Sequence, residues 1–248
     1  MEKLEKLIHY LAPDLDFPQT EDEQEWALRA LMNLWEPKVM PAEFWTLQDA
    51  YLQEKLAQRR ITRLSDLQEV ESQIYLWQGD ITSLEVDAIV NAANSQLLGC
   101  FVPHHRCIDN AIHSQAGLQL RLACYQLMKT QGYLEATGQA KITPAYNLPA
   151  NYVIHTVGPI IQAEVSPQDE ALLASSYQKS LEVAVENGLT SIAFCCISTG
   201  EFRFPNQLAA EIAVKTVRSF IKKHPNIRAV FNVFKDLDRE IYQELLQR

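Results

Sequence analysis

Over residues 1–70 the apolar positions repeat every three or four residues, the spacing of one face of a helix. Leu4, Leu7, Ile8 and Leu11 form the first such face, and Pro13 and Pro18 interrupt it. Thr20 followed three residues later by Glu23 is a capping-box signature, and Trp26, Leu28, Leu31, Met32 and Leu34 continue the helix it opens. Pro37 and Pro41 mark the next break, ahead of a more polar helix through Phe44, Leu47, Tyr51 and Leu56. The segment is charged and holds few groups suited to chemistry. It is expected to be a helical cap or a partner surface.

From Ile74 the period changes. Ile74–Leu76–Gln78 and Ala88-Ile89-Val90 predict strands, the second buried on both faces. Ile108, Ile112, Ala116, Ala123 and Leu127 predict one long helix after a loop. Tyr152 to Val157 predicts a strand, Leu172 to Val185 a helix, and Ser191 to Ile197 a buried strand. A helix over Leu208 to Ile221, a strand over Ala229 to Phe234 and a last helix through Ile241 and Leu245 complete the pattern. Strands alternating with amphipathic helices imply a three-layer α/β unit over residues 71–248, with residues 1–70 as its extension. Ligands of open α/β sheets sit beyond the carboxyl ends of strands. Asn91-Ala92-Ala93-Asn94, His155 to Pro159 and Ser198-Thr199-Gly200 all fall there.

Composition narrows the partners. A formal charge of −9 without a basic stripe excludes the phosphate-neutralising surface that nucleic-acid binding needs. A phosphate-bearing small molecule is still admitted, because helix N-termini and backbone nests hold anions without net positive charge. No apolar run reaches membrane-spanning length, and the start lacks a signal-peptide core, which together predict a cytoplasmic protein. Five cysteines, an odd number, argue against a disulfide framework. Cys124 and at least one of Cys195 and Cys196 are expected in the core, leaving Cys100 and Cys107 for chemistry.

Gly79-Asp80-Ile81-Thr82 and Asn91-Ala92-Ala93-Asn94 are each unremarkable turn or cap sequences alone. Followed in order by Tyr152-Val153-Ile154-His155-Thr156-Val157-Gly158-Pro159 and Ile197-Ser198-Thr199-Gly200-Glu201-Phe202, they resemble the macrodomain family from about Ile74 to Leu245. The resemblance implies an α/β/α fold around a mixed sheet and a pocket for ADP-ribose. Asp80 would accept from the adenine amino group, with the backbone of Ile81 completing that recognition. Asn94 would contact the distal ribose, and Ser198, Thr199, Gly200, Glu201 and Phe202 would wrap the diphosphate. Gly200 suits close approach of backbone to phosphate. His155 is expected to be structural.

The loop after Asn94 departs from the general family pattern, in which glycines precede an Asp near an Ile-His pair. Here Cys100, His105 and Cys107 form C-x4-H-x-C, two thiols and an imidazole within eight residues. That donor set suits tetrahedral zinc, and three ligands leave a fourth position for water or substrate. The run from Gly99 and Cys100 to Asp109, Asn110 and His113 resembles a zinc-dependent microbial subclass that carries an N-terminal helical extension. It implies one Zn2+ on Cys100, His105 and Cys107. A fourth protein ligand from His104, His113 or Cys196 would instead close the site and make the metal structural. Ile108 and Asp109 are expected beside the ribose, with Asp109 either a helix N-cap or a pocket carboxylate ionised by its helix terminus.

The resemblance implies a zinc-dependent protein ADP-ribosyl hydrolase removing mono-ADP-ribose from a modified side chain, with Asp109 and Cys107 as catalytic residues. The alternatives are a non-catalytic ADP-ribose reader and an O-acetyl-ADP-ribose deacetylase, since one fold hosts several activities. A sirtuin-type ADP-ribosyltransferase and a lipoyl-carrier protein are the partners the subclass suggests.

Overall fold

The computed structural model describes residues 3–247. Three helices come first, α1 (Lys3–Leu11), α2 (Glu21–Leu34) and α3 (Ala42–Ala57). The capping box at the start of α2 is present as expected: Thr20 accepts from the Glu23 amide, and the Glu23 carboxylate accepts from the Thr20 amide. These helices bury their own apolar cluster, with Leu7, Ile8, Leu28, Met32 and Phe44 at its centre and Leu118 from the rest of the chain.

Residues 58–71 are not helical. They hold the short strand β1 (Thr62–Arg63), a 3-10 turn, and β2 (Glu69–Glu71). The helical period in this stretch comes from Ile61, Leu64, Leu67 and Val70, three residues apart, and strand pairing overrides it. β2 instead pairs antiparallel with β3 (Ile74–Gln78) at one edge of the main sheet. Next come β4 (Leu84–Glu85), which pairs with β1, and β5 (Ala88–Ala92).

The long helix expected after the loop is two helices, α4 (Ile108–Ala116) and α5 (Leu118–Gln131). Gly117 separates them with φ of +94°, a conformation that L side chains rarely adopt. The remaining elements are β6 (Ala140–Pro144), β7 (Tyr152–Thr156), α6 (Pro167–Glu186), β8 (Ser191–Phe194), α7 (Asn206–Ile221), β9 (Arg228–Val233) and α8 (Asp236–Leu246). β8 stops at Phe194, short of the Ile197 expected, because the chain turns into the pocket loop there.

The main sheet has seven strands in the order β2-β3-β9-β8-β5-β7-β6. Its five inner strands run parallel, and the edge strands β2 and β6 are antiparallel to their neighbours. Inner strands such as β5 and β8 are buried on both faces by helices, which accounts for their continuous apolar runs. Among the described residues no helix is long and apolar enough to cross a membrane.

Candidate functional site

The carboxyl ends of β3, β5, β8 and β9 open together into a cavity of about 670 Å³. That is the expected place for a ligand in a parallel sheet and a volume suited to one of nucleotide size. Asp80, Ile81, Asn94, Cys107, Ile108, Asp109 and Ser198 through Phe202 all line it. Cys100 lines it too, together with Cys195 and Cys196.

One end is built on the turn after β3. Asp80 Oδ1 caps that turn by accepting from the Thr82 amide at 2.9 Å and its hydroxyl at 2.7 Å. Asp80 Oδ2 faces Arg59 Nη2 at 2.7 Å. Arg59, beyond α3, thus fixes this carboxylate from the N-terminal part of the chain, a contact that no local pattern announces. Phe234 also lines this cavity and leaves 75% of its surface open. Its one sequence signal is an aromatic side chain just past the carboxyl end of a strand.

The loop Ser198–Phe202 forms the middle. Among the described residues, the amides of Gly200, Glu201 and Phe202 donate to no protein acceptor. Ser198 turns through φ of +66°, and its buried hydroxyl has no partner. Strained backbone beside unpaired donors is a nest suited to an anion. A Cβ at Gly200 would meet no protein atom, so packing within the protein does not demand glycine there.

At the other end lies Asp109. Cys107, not Asp109, is the N-cap of α4: its Sγ accepts from the Asn110 amide at 3.4 Å. Asp109 sits in the first turn, buried, with Oδ1 accepting from Asn91 Nδ2 at 2.8 Å. Burial pushes its carboxyl up to about 6, outweighing the Asn91 bond and the charge of Arg121. The ionised form expected from the helix terminus is therefore opposed by desolvation. Asn94 Nδ2 donates to Gly99 O at 3.0 Å and lies 3.4 Å from Asp109 Oδ2.

Beneath Asp109 a buried chain continues. Asn91 Nδ2 also meets His155 Nδ1 at 3.2 Å, and His155 Nε2 meets Thr143 Oγ1 at 2.9 Å. Both imidazole nitrogens are satisfied, and burial lowers His155 to about 3. His155 is thus neutral and structural. Sequence reasoning placed Asn91 in the Asn91–Asn94 motif but gave it no role; it stands between His155 and Asp109.

The donor atoms of Cys100, His105 and Cys107 lie within 4.8 Å of one another. Cys100 Sγ is 3.6 Å from His105 Nδ1. A thiolate at about 2.3 Å and an imidazole at about 2.0 Å on one tetrahedral zinc stand roughly 3.5 Å apart, so the spacing fits. His105 Nε2 faces Glu201 Oε1 at 3.6 Å, the kind of outer carboxylate that orients a ligating imidazole. Burial pushes the Cys107 thiol up to about 12, so alone it is a poor nucleophile and needs a cation to ionise.

Among the described residues no fourth His, Cys, Asp or Glu joins this group. His104 stacks on Trp26 instead. His113 lies deeper, its Nε2 3.5 Å from Asp109 Oδ1, in a separate buried cluster with Cys124 and His155. Cys196 Sγ points to Asn232 O at 3.8 Å.

The sequence profile of the Macro domain family matches residues 90–213. A Treponema medium protein described as a protein-ADP-ribose hydrolase is 52% identical, covering 97% of this chain and 96% of that one. A Trypanosoma brucei macrodomain in complex with ADP-ribose superposes with a TM-score of 0.69 at 27% identity, covering 93% of this chain and 97% of its own. An Oceanobacillus iheyensis macrodomain with ADP gives a TM-score of 0.66 at 36% identity, covering 73% and 94%. By sheet order, pocket and near full-length similarity, the chain belongs to the macrodomain family.

Proposed function

We propose that the protein is a hydrolase that removes ADP-ribose from modified protein side chains. The carrying observation is a pocket that joins an unpaired amide nest at one point to a buried carboxylate and a Cys-His-Cys cluster at its far end. The near full-length likeness to a protein-ADP-ribose hydrolase supports the same reading.

In this reading Asp80 accepts from the adenine amino group, and the Ile81 backbone completes that contact. The Gly200, Glu201 and Phe202 amides donate to the diphosphate, with Ser198 and Thr199 shaping the turn. Asn94, Ile108 and Asp109 meet the distal ribose. Binding of the remote ADP portion thereby positions the reacting carbon. The bond from ribose C1 to the protein acceptor atom breaks, a water oxygen ends on C1, and the acceptor takes a proton. Asp109, its Oδ1 held by Asn91 and its Oδ2 in long contact with Asn94 Nδ2, has a second lone pair on Oδ2 to accept from a ribose hydroxyl or the attacking water.

Cys100, His105 and Cys107 would hold a zinc ion, and Cys107 serves as a ligand. When bound, zinc supplies a Lewis acid at the ribose end of the pocket. The three helices that end at Ala57 act as an extension, and the rest of the chain, with β2 joined to the main sheet, acts as the binding and catalytic unit. A sirtuin-type transferase as the source of the modification, a lipoyl-carrier protein as target and a cytoplasmic setting belong to this reading as its finer points.

Release of ADP-ribose from a mono-ADP-ribosylated protein, assayed beside free O-acetyl-ADP-ribose, tests it. Turnover of the modified protein is expected, with Asp109→Asn lowering kcat by about 100-fold or more. Retained ADP-ribose binding with release from neither substrate would leave a reader, and turnover of the free ester alone would leave a deacetylase.

A further inference from the structure

The loop bearing the three metal donors is gripped by the N-terminal helices. His104, between Pro103 and His105, has φ of +56°. A non-glycine residue holds that left-handed conformation only where its surroundings over-determine it. Asn33 Oδ1, on α2, accepts from the His104 amide at 3.0 Å. The His104 ring lies flat on Trp26, also on α2, with centroids 3.4 Å apart and planes at 9°. Both ring nitrogens are without hydrogen-bond partners, so the imidazole serves as a stacked plate. Trp26 is 65% exposed, which rules out core burial as its main use.

The same loop is held from behind. Arg121 on α5 is 1% exposed, and its Nη1 donates to the carbonyls of Met32, Asn33 and Trp35. These close the end of α2, where carbonyls lack helical partners. Its Nη2 donates to Cys100 O at 3.3 Å, and the guanidinium lies 4.3 Å over the Phe101 ring. One side chain therefore ties the end of α2 to the backbone of a metal donor. Arg29 Nη2 adds a third tie by donating to Asn110 Oδ1 at 3.2 Å, while Asn110 Nδ2 donates to Val102 O.

We infer that α2 is the positioning element of the Cys100–Cys107 loop. Trp26 and Asn33 hold His104 in its left-handed turn, and Arg121 fixes the Cys100 carbonyl. Together they keep Cys100 Sγ, His105 Nδ1 and Cys107 Sγ within reach of one ion. Relaxing His104 would rotate His105 relative to Cys100, because its peptide lies between them. The inference rests on the metal-binding reading above. Trp26, Asn33 and Arg121 lie outside the cavity lining, so they act through the loop and not on ADP-ribose.

The test is zinc affinity of the full chain by competition with a chromophoric chelator, alongside the visible spectrum of bound Co2+. Trp26→Ala is expected to weaken zinc binding about tenfold, roughly 1.4 kcal/mol, and to alter the cobalt bands. Trp26→Phe, which keeps a stacking face, should stay within twofold of wild type. Arg121→Lys, unable to span the α2 carbonyls and Cys100 together, should also lose affinity. ADP-ribose affinity of the chelator-treated proteins should change less than twofold. Unaltered zinc affinity and cobalt spectra in both Trp26→Ala and Arg121→Lys would overturn the inference. A wild-type chain binding neither ion would overturn the metal reading, and this inference with it.

Discussion

At the scale of single residues, the pocket hangs on side chains whose partners lie far away in sequence. Asn91 is the clearest case: one amide group bonds Asp109 and meets His155. Asn91→Ala removes the donor from both at once. It should cost about 1–3 kcal/mol of stability, the penalty for stranding buried polar groups. It should also lower kcat more than ADP-ribose affinity, because Asp80 and the 198–202 loop are untouched. Urea unfolding and a kcat-against-KM comparison check this; a variant losing affinity but keeping kcat would contradict it. Asp80, Asn94 and Ser198–Phe202 were legible in the sequence because each sits in a short contiguous motif. Asn91 lies in the same motif as Asn94, but its role between Asp109 and His155 was not legible, nor were the roles of Arg59, Arg121 and Phe234. A buried Arg in an amphipathic helix has the same local pattern as one on a solvated face.

At the scale of elements, the sequence placed most strands and helices because hydrophobic period and caps are local. It failed where tertiary contacts override period. The apolar spacing from Ile108 to Leu127 continues across Gly117, so α4 and α5 looked like one helix. Gly117, at φ +94°, lets the chain turn between them, and a Cβ there would lie 2.7 Å from Gln48 Nε2 and 2.8 Å from Gln119 Oε1. Gly117→Ala should therefore destabilise the protein by roughly 1–3 kcal/mol, through backbone strain and the loosened contact with α3. An unchanged urea midpoint would refute this. β6 escaped notice for another reason. It is a short antiparallel edge strand ending in Pro144, with neither strict alternation nor a continuous apolar run.

For the whole molecule, the buried polar layer below the pocket links stability to pH. Burial lowers His155 to about 3 and His113 well below its usual value. Unfolded histidines titrate near 6.5, so below that pH the unfolded chain binds protons that the folded one refuses. Each histidine's stabilisation is complete above about 6.5 and falls by roughly 1.4 kcal/mol per pH unit below it. Asp109, held up to about 6, acts in the opposite sense between there and the usual carboxylate range, offsetting one histidine's share. Urea midpoints should thus fall between pH 6.5 and 4.5, and His155→Gln should flatten the decline. A midpoint independent of pH, or a decline as steep in His155→Gln, would contradict this.

Cys100, Cys107 and Asp109 line the same cavity as Asp80 and the Ser198–Phe202 loop, so under the proposed function binding and turnover should be separable. One preparation of the full chain, stripped with chelator and then resupplied with Zn2+, provides the most direct measurement. ADP-ribose release from a mono-ADP-ribosylated protein is followed at each stage, with ADP-ribose binding measured in parallel. Release should vanish on stripping and return with zinc, while the stripped protein still binds ADP-ribose through its adenine and diphosphate contacts. Equal release by the fully stripped protein, or no release by a zinc-loaded protein that binds ADP-ribose, would contradict a zinc-dependent hydrolase built on Cys100, His105, Cys107 and Asp109.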